Sequence, residues 1–162
     1  MDREKFIACV EAEQKRLRLF LLGLCGDPQV AYDLAQDTLM KAYLASSSFI
    51  SRFRFSTWLL KIAYNCYLDY SKLYHVRCRD PLAPSASIPD AGASSDEAFR
   101  YQRLYQALDL LNEKERSAVM LFYIYGFSVK EIAGITDESA AAVKKQLQRA
   151  REHLKTMLED DE

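Results

Sequence analysis

Apolar residues recur along this chain at helical rather than strand spacing. Phe6, Val10, Leu17, Phe20, Leu21 and Leu24 keep the helical period, predicting a first helix that ends near Gly26-Asp27-Pro28. A second helix is expected from about Val30 to Ala45, with Ala31, Leu34, Leu39, Ala42 and Tyr43 for its inner side and the serines 46–48 as its stop. A third begins near Ser56 or Thr57, either a good N-cap, and runs through Trp58, Leu59, Ile62, Ala63, Cys66 and Leu68 to about Tyr74. Farther on, Asp96 opens a helix through Leu104, Leu108 and Leu111. Asn112 caps the next, with Glu115 placed for a capping box, and Gly126 ends it. No segment has a clear strand period, although Val119–Tyr125 is rich in aromatics.

Between the third and fourth helices the pattern breaks. Twelve of the fifteen residues of PLAPSASIPDAGASS, 81–95, are Pro, Ala, Ser or Gly, too few apolar side chains to pack. This stretch reads as a flexible linker with an end-to-end span of roughly 20 Å. The expected architecture is all-α: a helical domain over 1–80, the linker, and a second helical domain over 96–162 with an acidic tail.

The C-terminal pattern carries the most information. Ser128 caps a short helix, VKEIAG, with Glu131 in the capping-box position, and the polar turn Thr136-Asp137-Glu138 follows. Ser139 then caps a long helix with Val143, Leu147, Ala150, Leu154 and Leu158 on one apolar stripe. Beside that stripe lie Lys144, Lys145, Gln148, Arg149 and Arg151. Two helices joined by a tight turn, the second basic outside, form a helix-turn-helix pattern. Its second helix would enter the major groove, where the small Ala140, Ala141 and Ala142 allow close approach. An amphipathic helix with a solvated charged face fits the same periodicity.

Charge refines the picture. The net value is −1, so the chain does not coat nucleic acid by bulk electrostatics. Locally the balance is basic: 12 Lys/Arg against 9 Asp/Glu over Met1–Asp80, and 6 against 4 over Ser128–Lys155, while the last seven residues hold four acids and no base. Two N-terminal clusters also stand out. DLAQDTLMKAY offers Asp33, Gln36, Asp37 and Lys41 on the outer side of a helix, either solvated or docked on a partner. Phe53-Arg54-Phe55-Ser56-Thr57-Trp58, followed by Lys61, Tyr64, Asn65, Asp69 and Lys72, interleaves bases with aromatics. Single-stranded nucleic acid is bound by such sets, rings stacking on unpaired bases and cations following the backbone. Tyrosines at helical spacing serve a core equally well.

Cys9, Cys25, Cys66 and Cys78 are far apart and have only His75 and His153 for company, a spacing that suggests reduced thiols rather than a zinc site or disulfides. No signal peptide or apolar membrane span is visible, so a cytoplasmic protein without membrane insertion is expected. Nor is there a nucleophile–base set, a pair of catalytic acids or a phosphate-cradling glycine loop; neither an enzyme nor a cofactor is expected.

Together these segments resemble the extracytoplasmic-function (ECF) sigma factors of the sigma-70 family, across nearly the whole chain except the linker and tail. DLAQDTLMKAY is similar to the family's core-polymerase-binding helix, FSTWLLKIAYNCYLDY to its promoter-melting helix, and LNEKERSAVMLFYIYGFSVKEIAGITDESAAAVKKQLQRAREHL to its minus-thirty-five domain. The resemblance implies a sigma-2-like bundle and a sigma-4-like helix-turn-helix serving transcription initiation. It implies that Asp33, Gln36, Asp37 and Lys41 contact RNA polymerase core enzyme, and that Arg54, Phe55, Trp58, Lys61, Tyr64, Asn65, Asp69 and Lys72 engage the minus-ten strand. Ser139, Ala141, Ala142, Lys144, Lys145, Gln148, Arg149 and Arg151 would read the minus-thirty-five element. Promoter DNA and an anti-sigma factor are the further partners implied. Three departures stand out: SKLYHVRCR is less basic than the family's arginine run, Thr136-Asp137-Glu138-Ser139 replaces a common LGIS, and Gln146 replaces a frequent arginine. A stand-alone helix-turn-helix regulator and a sigma-like decoy for an anti-sigma factor remain as alternatives.

Overall fold

The computed structural model describes residues 2–49, 54–77 and 106–160. The linker expected at 81–95, the start of the helix expected from Asp96, Phe53, Cys78 and the end of the acidic tail lie outside the described residues. The chain divides into two compact units, Met1–Ala86 and Ser87–Glu162. The described residues contain helices and no strand.

In the first unit α1 spans Arg3–Cys25, capped by Asp2, whose carboxylate accepts from the Lys5 N–H at 2.8 Å. Gly26 closes it with φ at 74°, a left-handed conformation that glycine adopts without a Cβ penalty. Asp27 caps α2, Pro28–Leu44, which starts two residues earlier than its apolar pattern suggests because Pro28 fits the first helical position. A 3-10 turn follows at Ser46–Ser48. α3 spans Phe55–Arg77, and the Trp58 N–H donates to the Arg54 carbonyl, so Arg54 rather than Ser56 or Thr57 begins the helix. Ser56 is buried in the first turn.

The three helices pack pairwise. Leu17, Phe20, Leu21 and Leu24 of α1 meet Leu34 and Ala42 of α2 and Leu59, Leu60 and Ala63 of α3 in the core. Each such leucine contributes about 1.5–3 kcal/mol by leaving water. Thr38 is also buried, its hydroxyl donating to the Leu34 carbonyl at 2.7 Å. Tyr43, expected inside, is mostly exposed, and Leu39 is half-buried.

The second unit is described from a helical turn at 106–109. Arg116 ties it to α4, Glu113–Val119, by donating to the carbonyls of Leu108 and Leu111 at 3.0 and 3.2 Å. α4 then changes pitch into a π-helical turn, Met120–Ile124, where the Tyr125 N–H donates to the Met120 carbonyl. The aromatic stretch that suggested a strand is this widened turn, closed by Gly126 at φ 73°. α5 is Val129–Thr136 and α6 is Ala140–Asp160, both packed on the same small core of Leu121, Phe127, Ile132, Ile135, Val143, Leu147 and Ala150.

Candidate nucleic-acid and partner interfaces

α6 stands on its core by a narrow apolar stripe. Val143, Leu147 and Ala150 are buried and Leu154 is half-buried, which leaves the rest of the helix circumference in water. Ser139, Ala141, Lys144, Lys145, Gln148, Arg149 and Arg151 are all exposed, whereas Ala142 is half-buried on the flank of the stripe. Ser139 caps the helix through its hydroxyl, which accepts from the Ala142 N–H at 3.1 Å.

The turn in front of α6 is built from polar contacts. Asp137 takes the left-handed conformation, φ 58° and ψ 39°, and caps α5 through its N–H to Ala133. Aspartate tolerates that region better than most side chains. Glu138, the next residue, pairs with Lys114 of α4 at 3.0 Å. Here an ion pair stands where apolar anchors are absent. At the start of α5 the Ser128–Glu131 capping box is complete, with bonds of 3.1 and 3.2 Å.

Asn112 caps α4, accepting from the Glu115 N–H at 2.9 Å, but the Glu115 carboxylate points elsewhere than the box expected of it. Its side chain, 4% exposed, lies 3.0 Å from His153 Nδ1 of α6. The pair fastens α4 to the middle of the long helix on the flank away from Arg151. No sequence spacing foretells it, because 38 residues separate the partners.

In the first unit, Arg54, Trp58, Lys61, Asn65, Asp69 and Lys72 follow one another at intervals of four or three residues, which places them along a single line of α3. All except the half-buried Trp58 are exposed. Tyr64 does not join them. It is 4% exposed, on the face shared with Leu60 and Tyr67, so its ring is core rather than a stacking platform. Phe55 is half-buried too. Its ring lies 6.0 Å from Phe6, 5.8 Å from Phe49 and 5.6 Å from Trp58, in a chain of edge-on and tilted rings continued by Phe49–Trp58 at 5.2 Å. Such contacts orient Trp58 at the head of the exposed line. Phe55 thus supports the site from behind.

Asp33, Gln36, Asp37 and Lys41 are exposed on α2. Sequence reading missed their neighbours. Asp33, Asp37, Met40 and Leu44 share one line at intervals of four, three and four residues, and Met40 and Leu44 are 66% and 75% exposed. The face is therefore amphipathic, with two large apolar side chains presented beside the acids. An open cleft of about 260 Å³ runs between α2 and α3, lined by Asp33, Asp37 and Lys41 on one side and Asp69, Tyr70 and Leu73 on the other. Gln29 Nε2 donates to Asp33 at 3.3 Å, holding that carboxylate on the helix surface.

Cys9, Cys25 and Cys66 carry free thiols. No helix among the described residues is long and apolar enough to cross a membrane.

A capped short helix, a left-handed turn residue and a long helix with an exposed basic side make the second unit a helix-turn-helix module. Residues 101–154 match the family Sigma-70, region 4, and residues 9–73 match Sigma-70 region 2. The RNA polymerase sigma factor CarQ of Myxococcus xanthus is 30% identical over 150 residues, 88% of this chain and 83% of that protein. The ECF RNA polymerase sigma factor SigM of Bacillus subtilis is 29% identical over 140 residues, 85% of each chain. The solved sigma factor RpoE from Bartonella quintana, in complex with the anti-sigma factor NepR, is 29% identical and superposes with a TM-score of 0.82 over 98% of this chain and 99% of its own. The chain belongs to the sigma-70 family, in its extracytoplasmic-function class.

Proposed function

We infer that this protein is a sigma factor, a transcription initiation factor that directs RNA polymerase core enzyme to specific promoters. The observation that carries the reading is the presence of two separate exposed helix faces suited to DNA, the line on α3 and the basic side of α6, one in each unit. A single-module regulator has use for only the second.

In this reading α6 enters the major groove of the minus-thirty-five element. Ser139 and Ala141 lie close to base edges at its N-terminus, while Lys144, Lys145, Arg149 and Arg151 neutralise phosphates and Gln148 faces the groove. Arg54, Trp58, Lys61, Asn65, Asp69 and Lys72 meet the melted minus-ten strand. Unstacking a base costs a few kcal/mol in closed duplex and less where strands already part, so the α3 line acts by capturing opened DNA. Tyr64 and Phe55 hold that line in place from the core. Asp33, Gln36, Asp37 and Lys41 dock on the polymerase, with Met40 and Leu44 supplying apolar contact. Residues 81–95 tether the two units. Phosphodiester chemistry belongs to the polymerase, and the protein acts where polymerase and chromosome are, in the cytoplasm.

RpoE is solved with an anti-sigma factor on it, and at 29% identity over almost the whole chain this supports an anti-sigma partner here as well. Run-off transcription with core polymerase and a promoter library, with and without the protein, tests the proposal. Promoter-specific transcripts appearing only with the protein are expected. Transcripts identical in both arms would leave a decoy, and tight sequence-specific binding to duplex without polymerase would favour a stand-alone regulator.

A further inference from the structure

Tyr123 sits in the π-helical turn, 56% exposed, and is joined to Arg151 of α6, 28 residues away. Arg151 Nε donates to the tyrosine hydroxyl, and the guanidinium carbon lies 5.6 Å from the ring centroid. Phe122 buttresses the ring with its own, centroids 4.9 Å apart and nearly perpendicular. We propose that Tyr123 is a positioning residue that presents Arg151, and adds its own hydroxyl, to a backbone phosphate of duplex promoter DNA.

The argument is one of charge and donors. The other cations paired across or along these helices, Lys114 with Glu138 and Arg16 with Glu13, are matched by carboxylates. The partner of Arg151 is neutral, so its full positive charge stays available to an anion. With Nε occupied, both terminal NH₂ groups remain as a fork, the geometry that suits phosphate oxygens. The tyrosine hydroxyl accepts from Nε and keeps its proton to donate to the same phosphate. A free arginine at an exposed helix position loses side-chain freedom on binding; one already hydrogen-bonded and stacked loses less. Arg151 also shares a line with Lys144, Gln148 and Lys155 at intervals of four, three and four residues, which continues away from the base-reading end of α6. That is where phosphate contacts belong rather than base contacts.

This inference rests on the sigma-factor reading, and the test separates the two. Holoenzyme is assembled from full-length protein and core polymerase, and its binding to a labelled promoter fragment recovered by the run-off selection is measured from low to moderate salt. Arg151→Ala is expected to lower the slope of log affinity against log salt by about one. Tyr123→Phe, which keeps the ring and loses the hydroxyl, is expected to weaken binding about three- to tenfold, of the size of one hydrogen bond. In the Arg151→Ala background it should add nothing, because the tyrosine acts through the arginine. Additive losses, or an unchanged salt slope in Arg151→Ala, would overturn the pair while leaving the sigma reading intact. A wild-type holoenzyme that retains no promoter DNA would bring down both.

Discussion

The two units expose their candidate DNA faces to different degrees. α3 packs against both α1 and α2, so burial claims a wide sector that takes in Leu59, Leu60, Ala63, Tyr64 and Tyr67. What remains is a single line, from Arg54 to Lys72. α6 rests by Val143, Leu147 and Ala150 and leaves cations on several sides. A helix held on two sides can offer a narrow, rigid row for a separated strand. One held along a single stripe can fill a groove. The difference explains why the first unit can carry aromatics in number while showing few of them.

Tyr64→Ala should break that contrast most severely, opening a cavity in the first unit at a cost of about 3–5 kcal/mol if it behaves like other large aromatic truncations. Lys61→Ala, one turn away on the exposed line, should stay within about 0.5 kcal/mol of wild type in stability. Chemical denaturation followed by Trp58 fluorescence checks both, and equal losses would erase the distinction between buried and exposed faces.

Next in size, Asp37→Arg should reduce affinity for core polymerase by about a hundredfold through like-charge opposition and desolvation, without altering the unfolding curve. Fluorescence anisotropy with labelled protein measures it. Retained binding would move the docking face off α2.

For the second unit, Lys144→Ala combined with Arg151→Ala should lower the salt slope of promoter binding by about two while polymerase binding is unchanged. Ser139→Ala should cost about 1 kcal/mol, the usual loss of an N-cap hydroxyl, and be read as a lower melting temperature. A larger penalty would mean that the α6 start is held by less than its cap and core.

The fold was legible wherever a local rule decided it. Ser128 and Glu131 are three residues apart and form the box their spacing predicts, and Asp137 turns left-handed as its side chain permits. Gly26 and Gly126 end what precedes them. Legibility failed where tertiary packing chose among equivalent readings. Tyr64 has a helical neighbour set, Leu60 and Tyr67, that pointed inward, yet a basic-aromatic cluster read as a whole pointed outward. Glu115 sat correctly for a box and turned to His153 instead. Met40 and Leu44 look like core residues by type, and only the width of the α2 contact surface shows that they are not. The line on α3 emerges only once Phe55 and Tyr64 are removed from the list of eight.

The π turn at Met120–Ile124 is in effect one residue more than an ordinary helix would use to cover the same rise. Deleting any one of those five residues would let the segment rewind to regular pitch and swivel everything after it by about 100°. Phe127 would then leave its seat among the buried side chains, and Tyr123 would lose its grip on the opposite helix. A spare residue lodged mid-helix is thus a fixed spacer, and the chain length between Asn112 and Ser128 is far less free to vary than its exposed setting suggests.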